Sequence, residues 1–172
     1  MNRKQVGGIL WVGLIAGIAG GIAEVAWIAA HAALANASGH AVAVAVADTL
    51  GLGTGNPAVD LWLGIGSHLG LAVLIGIGLT TIIRSRWCRL PSASAEAFAV
   101  VGLLVAIWGF NFFILLPVAN PAFVQIMPYE ITFLSKVLFG VAAAGVLYAE
   151  RSWRSVLLGW AELGARFGRS NA

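Results

Sequence analysis

The sequence predicts an all-α integral membrane protein with four transmembrane helices, both termini on the inner side, and a C-terminal amphipathic surface helix. Three observations predict it. Of 172 residues, 60% are hydrophobic and only 10% are charged; four apolar windows are long enough to cross a bilayer; and the Lys and Arg residues gather on one side of those windows. Charged residues make up about a quarter of an ordinary soluble domain, so this chain has too few to coat a water-soluble globule. No polar stretch is long enough to fold as a separate module, and residues 1–172 are read as one domain.

A helix needs about 20 apolar residues to cross the hydrocarbon layer. Residues 8–34 meet that length after Asn2, Arg3 and Lys4. A cleaved signal peptide has a shorter apolar stretch, of about 7–15 residues, and this window also contains Glu24, so it is expected as a retained span. Residues 60–83, 98–116 and 131–148 supply the other three spans. Between the first two, residues 35–59 are weakly polar. The Ala-Val alternation from Ala41 to Ala47 has the period of a strand, but a lone strand at a membrane leaves its edge groups unpaired, so a short interfacial helix is expected. Residues 117–129 hold Pro117, Pro121 and Pro128, which prevent a long regular helix. In the tail, residues 152–167, Trp153, Val156, Leu157, Trp160 and Leu163 fall near one face while Arg154 and Arg166 lie elsewhere. That pattern predicts an amphipathic helix on the inner surface, anchored by Trp153, Trp160 and Arg154; the competing expectation is that the fourth helix simply continues into water.

Orientation follows from the cations. Arg3 and Lys4 precede the first span, Arg84, Arg86 and Arg89 separate the second from the third, and Arg151, Arg154, Arg166 and Arg169 follow the fourth. The remaining cation, Lys136, lies inside the fourth window, and the two opposite connections have no Lys or Arg. The positive-inside rule then predicts cytoplasmic termini and an inner (plasma) membrane location. The net charge of +3 is explained by attraction to anionic lipid, with no nucleic-acid partner implied. Cys88 is the single cysteine, which excludes an intrachain disulfide and a Cys-based metal motif.

Within the spans, Glu24, His68, Asn111 and Lys136 are expected as a buried polar cluster in the outer half. An isolated charge near a helix centre costs about 3 kcal/mol even on the lenient insertion scale, so Glu24 and Lys136 are expected to pair. The inner halves of the four windows hold almost nothing ionisable, which argues against a complete proton path. His31 and His68 are the candidate haem or metal ligands, although helix geometry puts them about 7 Å apart in depth, whereas one iron needs both imidazoles at nearly one level. No cofactor is predicted; haem b or quinone is the alternative to that expectation. Gly13, Gly17, Gly20 and Gly21 form a small-residue face on the first helix for close helix packing, with the glycines of the second helix as its expected partner. A weak duplication pairs Pro57 and Asp60 ahead of the second span with Pro128 and Glu130 ahead of the fourth.

Asn-Pro-Ala occurs at Asn56 and again at Asn120, a tripeptide similar to the paired motif of aquaporins. Both copies fall on one side of the membrane here, and Phe123 and Val124 stand where that family has an arginine, so no aquaporin property is carried over. No nucleotide-binding, zinc-protease or nucleophile motif is present. The leading functional expectation is therefore a non-enzymatic accessory or anchoring subunit of a membrane complex, with the lipid bilayer and other membrane subunits or a second copy as partners. A small oligomeric carrier or channel with an outward-facing polar pocket is the second reading, and a haem- or quinone-binding electron-transfer subunit is the third.

Overall fold

The computed structural model describes residues 3–35, 38–85 and 90–170, without the side chains of Lys4, Arg154 and residues 157–170. Every regular element in those residues is helical: α1 (Arg3–Leu34), α2 (Gly39–Thr49), α3 (Pro57–Ile83), α4 (Ala93–Phe110), a π turn (Asn111–Leu115), α5 (Leu116–Ala119), α6 (Pro121–Ile126) and α7 (Tyr129–Ser170). Four stretches are long and apolar enough to cross a membrane: Gln5–Leu34, Pro57–Ile83, Ala93–Ala119 and Tyr129–Trp153. Each is longer than the corresponding window read from the sequence, because the helices continue past the apolar stretch into capped, polar ends.

Those ends show why the helices start where they do. Asn56 caps α3, its side chain accepting from the backbone N–H groups of Ala58 and Val59, and Pro57 occupies the first turn. Asn120 caps α6 by accepting from Phe123 N–H, again with proline next. Asparagine followed by proline satisfies a free helix N–H while presetting the backbone angle. The repeated Asn-Pro-Ala is thus a helix-start signal used twice. Asn120 also donates to Thr49 Oγ1 at 2.9 Å, tying α6 to the end of α2. Asn120→Ala removes both contacts and is expected to cost about 1–2 kcal/mol, read as a shift in the detergent unfolding midpoint; Asn56→Ala, which loses only a cap, should shift it less.

The α4 segment widens into its π turn just before Pro117. Proline has no N–H for the carbonyl four residues earlier and its ring crowds that group; here Leu116 N–H instead reaches Asn111 O, a five-residue step. This register shift lets the helix pass the proline without ending.

In the bundle, α1 packs along both α3 and α7, and α4 packs on α7, whereas α3 and α4 scarcely meet. The α1–α3 contact is backbone-close. A Cβ at Gly13 would sit 2.7 Å from Ile77 Cα, and one at Gly17 2.6 Å from Val73 Cα. Gly21 meets the Ala72 methyl, while Gly20 faces the Phe139 ring on α7 rather than α3. The small-residue face of α1 is therefore divided between two neighbours. The buried core of Ala16, Ala72, Leu79, Ile83, Val100, Leu104, Phe139, Ala143 and Leu147 fills only the half of the bundle nearer Arg84. The other half, roofed by α2, α5 and α6, is hollow.

α7 runs unbroken for 42 residues to Ser170, so the tail is a helical extension of the fourth span. Trp153 is 69% exposed; the side chains of Arg154 and Trp160 lie outside the described residues.

Candidate functional site

The hollow half contains a cavity of about 640 Å³, walled mainly by aliphatic and aromatic side chains of α1, α2, α3, the π turn and α7. Glu24, His68, Asn111, Ser135 and Lys136 supply most of its polar lining. Small-molecule sites commonly combine this size, roughly 300–1,000 Å³, with a few convergent polar groups.

Glu24 organises the polar side. It projects from the middle of α1 and is only 5% exposed. Its Oε1 lies 2.5 Å from Lys136 Nζ and accepts a 2.9 Å hydrogen bond from Ser135 Oγ, so α7 contributes two adjacent donors to one oxygen. The Ser135 hydroxyl also approaches its own helix at Thr132 O, 2.7 Å away, which holds it in place. Lys136 lies 5.9 Å from the centre of the Phe139 ring, within cation–π range. Glu24 Oε2 is 3.4 Å from His68 Nε2 on α3, yet neither of these buried atoms completes a hydrogen bond. One oxygen of the carboxylate is saturated and the other is left facing the cavity beside an equally unsatisfied imidazole nitrogen.

The structure thus brings Glu24, His68 and Lys136 within ion-pair distance and sets Asn111 on the same cavity wall, one helical turn after Ile107. Ser135 is the member of the site that the sequence did not point to. A serine beside a lysine on an apolar helix has no distinctive spacing, and only the neighbouring carboxylate gives it a role. His31 is placed elsewhere. It lines a separate hollow of about 270 Å³ with Ile28, Ser38, Ile126 and Pro128, while His68 faces Glu24, so the two imidazoles do not share a cavity. Among the described residues there is no group of three or more metal-ligating side chains.

Tryptophans and an aromatic cluster hold the surrounding wall. Trp27 Nε1 donates to Ile131 O at 3.0 Å, joining α1 to α7, and Trp108 Nε1 donates to Thr132 Oγ1 at 3.0 Å, joining α4 to α7. The Trp108 ring stacks with Phe112 and meets Phe113, Tyr129 and Phe133 edge-on. These contacts fix α4 on α7 and leave the α3 side of α4 without comparable support.

The opposite end corrects one expectation, that the inner halves hold almost nothing ionisable. Arg84 Nη2 reaches Glu150 Oε2 at 2.9 Å and lies 4.0 Å from Glu96 Oε2, and Arg151 Nη1 reaches Glu96 Oε1 at 3.3 Å. Glu96 is buried. Windows drawn from residue 98 and to residue 148 excluded both acids, but the helices extend far enough to carry them inside. The network closes α3, α4 and α7 together at the end opposite the cavity.

Comparison with known proteins finds no matching family model, curated protein or solved structure.

Proposed function

We propose that this chain is a multi-pass membrane protein that binds a small amphiphilic molecule in its hollow half, the binding step of a carrier whose pocket faces the outer side. The observation that carries the reading is the pairing of an apolar cavity of about 640 Å³ with a buried carboxylate oxygen that has no hydrogen-bond partner. A polar clasp serving only to hold helices together has no need of a cavity beside it, and an unsatisfied buried polar atom is costly unless something completes it. The sparse contact between α3 and α4 supports access from the lipid, because both helices line the cavity. In the sequence, nine of the ten cations precede the first span, separate the second from the third or follow the fourth, which supports cytoplasmic termini, an inner-membrane location and an outer position for the cavity. The indole and arginine pattern of the tail supports an amphipathic helix at the inner surface.

A second reading, an accessory or anchoring subunit, is favoured by one observation. Gly66 and Gly70 lie four residues apart on α3, both exposed, and an added Cβ at either meets nothing within 4 Å. Such a face allows another helix to approach closely.

Native mass spectrometry of the chain extracted in mild detergent separates the two readings. A retained adduct of lipid mass, lost in Ile65→Trp, which fills the cavity, is the expected result. Protein that carries no adduct but arrives with a foreign subunit would replace the carrier reading with the subunit reading, and haem mass would move the reading to electron transfer.

A further inference from the structure

The head group that the cavity takes can be read from the two atoms left incomplete at its polar wall. We propose that the cavity selects an amphiphile with an uncharged hydroxyl head, an alcohol on an apolar tail, and rejects its phosphorylated counterpart; this rests on the amphiphile-binding reading above and deepens it.

The charges come first. Glu24 carries one negative charge, and Lys136 already lies against its Oε1, so the pair is balanced. The Arg84 network at the other end is engaged with Glu96 and Glu150. A phosphate head would enter an apolar chamber whose one cation is already paired, opposite a carboxylate oxygen. Desolvating a charge without a counter-charge is strongly unfavourable. A cationic head fares no better, because the same carboxylate is already neutralised by Lys136.

Hydrogen-bond polarity then narrows the choice among neutral heads. Glu24 Oε2 accepts only, and His68 Nε2, in the tautomer that carries its proton there, donates. The two atoms lie 3.4 Å apart as an ion-pair contact, and both are buried without completing a hydrogen bond. An oxygen about 2.8 Å from each fits over that edge. It must donate one hydrogen to Glu24 and accept one from His68, and a hydroxyl does both with a single atom. An ether or ester carbonyl only accepts and leaves Glu24 Oε2 incomplete. Beyond this edge the lining is mainly aliphatic and aromatic, including Val25, Ile28, Val46, Ile65, Leu115 and Phe123, with Asn111 and Thr49 as scattered polar groups. That surface suits a hydrocarbon or isoprenoid tail.

The test uses the full chain in nanodiscs with two probes that share one tail, 1-monooleoylglycerol and 1-oleoyl-lysophosphatidic acid, and reads retention by equilibrium binding of the radiolabelled probe. The alcohol is expected to bind at least tenfold more tightly than the phosphate. Glu24→Gln removes the negative charge, leaves Lys136 uncompensated and should invert the preference. His68→Phe removes the donor while keeping the bulk and should weaken the alcohol several-fold without strengthening the phosphate, which gives a second reading if Glu24→Gln fails to fold. Ile65→Trp should abolish binding of the alcohol. Equal or tighter binding of the phosphate by the unmodified chain would overturn the hydroxyl assignment while leaving the cavity as an amphiphile site. Alcohol binding that survives Ile65→Trp would place the ligand elsewhere and overturn it too. Failure of both probes to bind would overturn the amphiphile reading itself.

Discussion

Lys136→Met is expected to destabilise the bundle by about 3–5 kcal/mol, the cost of leaving a buried carboxylate without its cation. Glu24 keeps the Ser135 hydroxyl after the change, but a neutral donor offsets only part of the loss. SDS-driven unfolding in mixed micelles, followed by tryptophan fluorescence, measures the shift. The informative comparison is the double variant Glu24→Gln with Lys136→Met. Removing both charges restores a neutral wall, so the double variant should unfold closer to the unmodified chain than either single variant does. A positive coupling of at least 1 kcal/mol in that cycle marks direct interaction. Additive effects would mean that the two groups are separately solvated and that the cavity is wetter than its lining indicates.

Gly17→Leu is the second large effect. Even a single Cβ at this position falls 2.6 Å from Val73 Cα and also meets the Ala72 backbone, and backbone cannot swing aside as a side-chain end does. Helix association in lipid depends on close packing because burying apolar surface gains little there. Separating α1 from α3 also takes Glu24 away from His68 and opens the cavity along its α1–α3 edge. We expect at least 3 kcal/mol of destabilisation, the upper end of overpacking costs, together with loss of ligand binding. Gly66→Leu on the same α3 helix meets open space and should leave monomer stability within about 0.5 kcal/mol. If Gly17→Leu unfolds at the same SDS fraction as Gly66→Leu, the α1–α3 contact is looser than described.

The spans were legible because the hydrocarbon layer imposes one length on every apolar helix, and the caps at Asn56 and Asn120 were present in the sequence as repeated Asn-Pro. The reason for looking for a cation beside Glu24 was also local: a lone carboxylate in that stretch is too costly to face lipid. Other features had no local signature. The cavity lies between side chains of α1, α2, α3, the π turn and α7, a property of how the helices are arranged that no single helix reveals. Glu96 and Glu150 were missed because hydropathy marks where apolar residues stop, whereas a helix stops where its backbone groups are satisfied. The tail was read as an amphipathic surface helix from its pattern of indoles and arginines; that α7 continues into it without a break was not legible, because the polarity change at residue 152 marks no helix end.

The unbroken α7 carries a mechanical consequence. Lys136 and Ser135 sit near one end of this 42-residue rod and Ser170 closes the other, about 50 Å from Lys136 at 1.5 Å per residue. The two residues that grip Glu24 are therefore fixed to a lever. A tilt of about 5° pivoting at Lys136 displaces the far end by roughly 4 Å over that length, a movement comparable to the spacing between packed atoms. If the proposed ligand shifts Lys136 on binding, the tail is expected to move with it, since α7 is continuous between them.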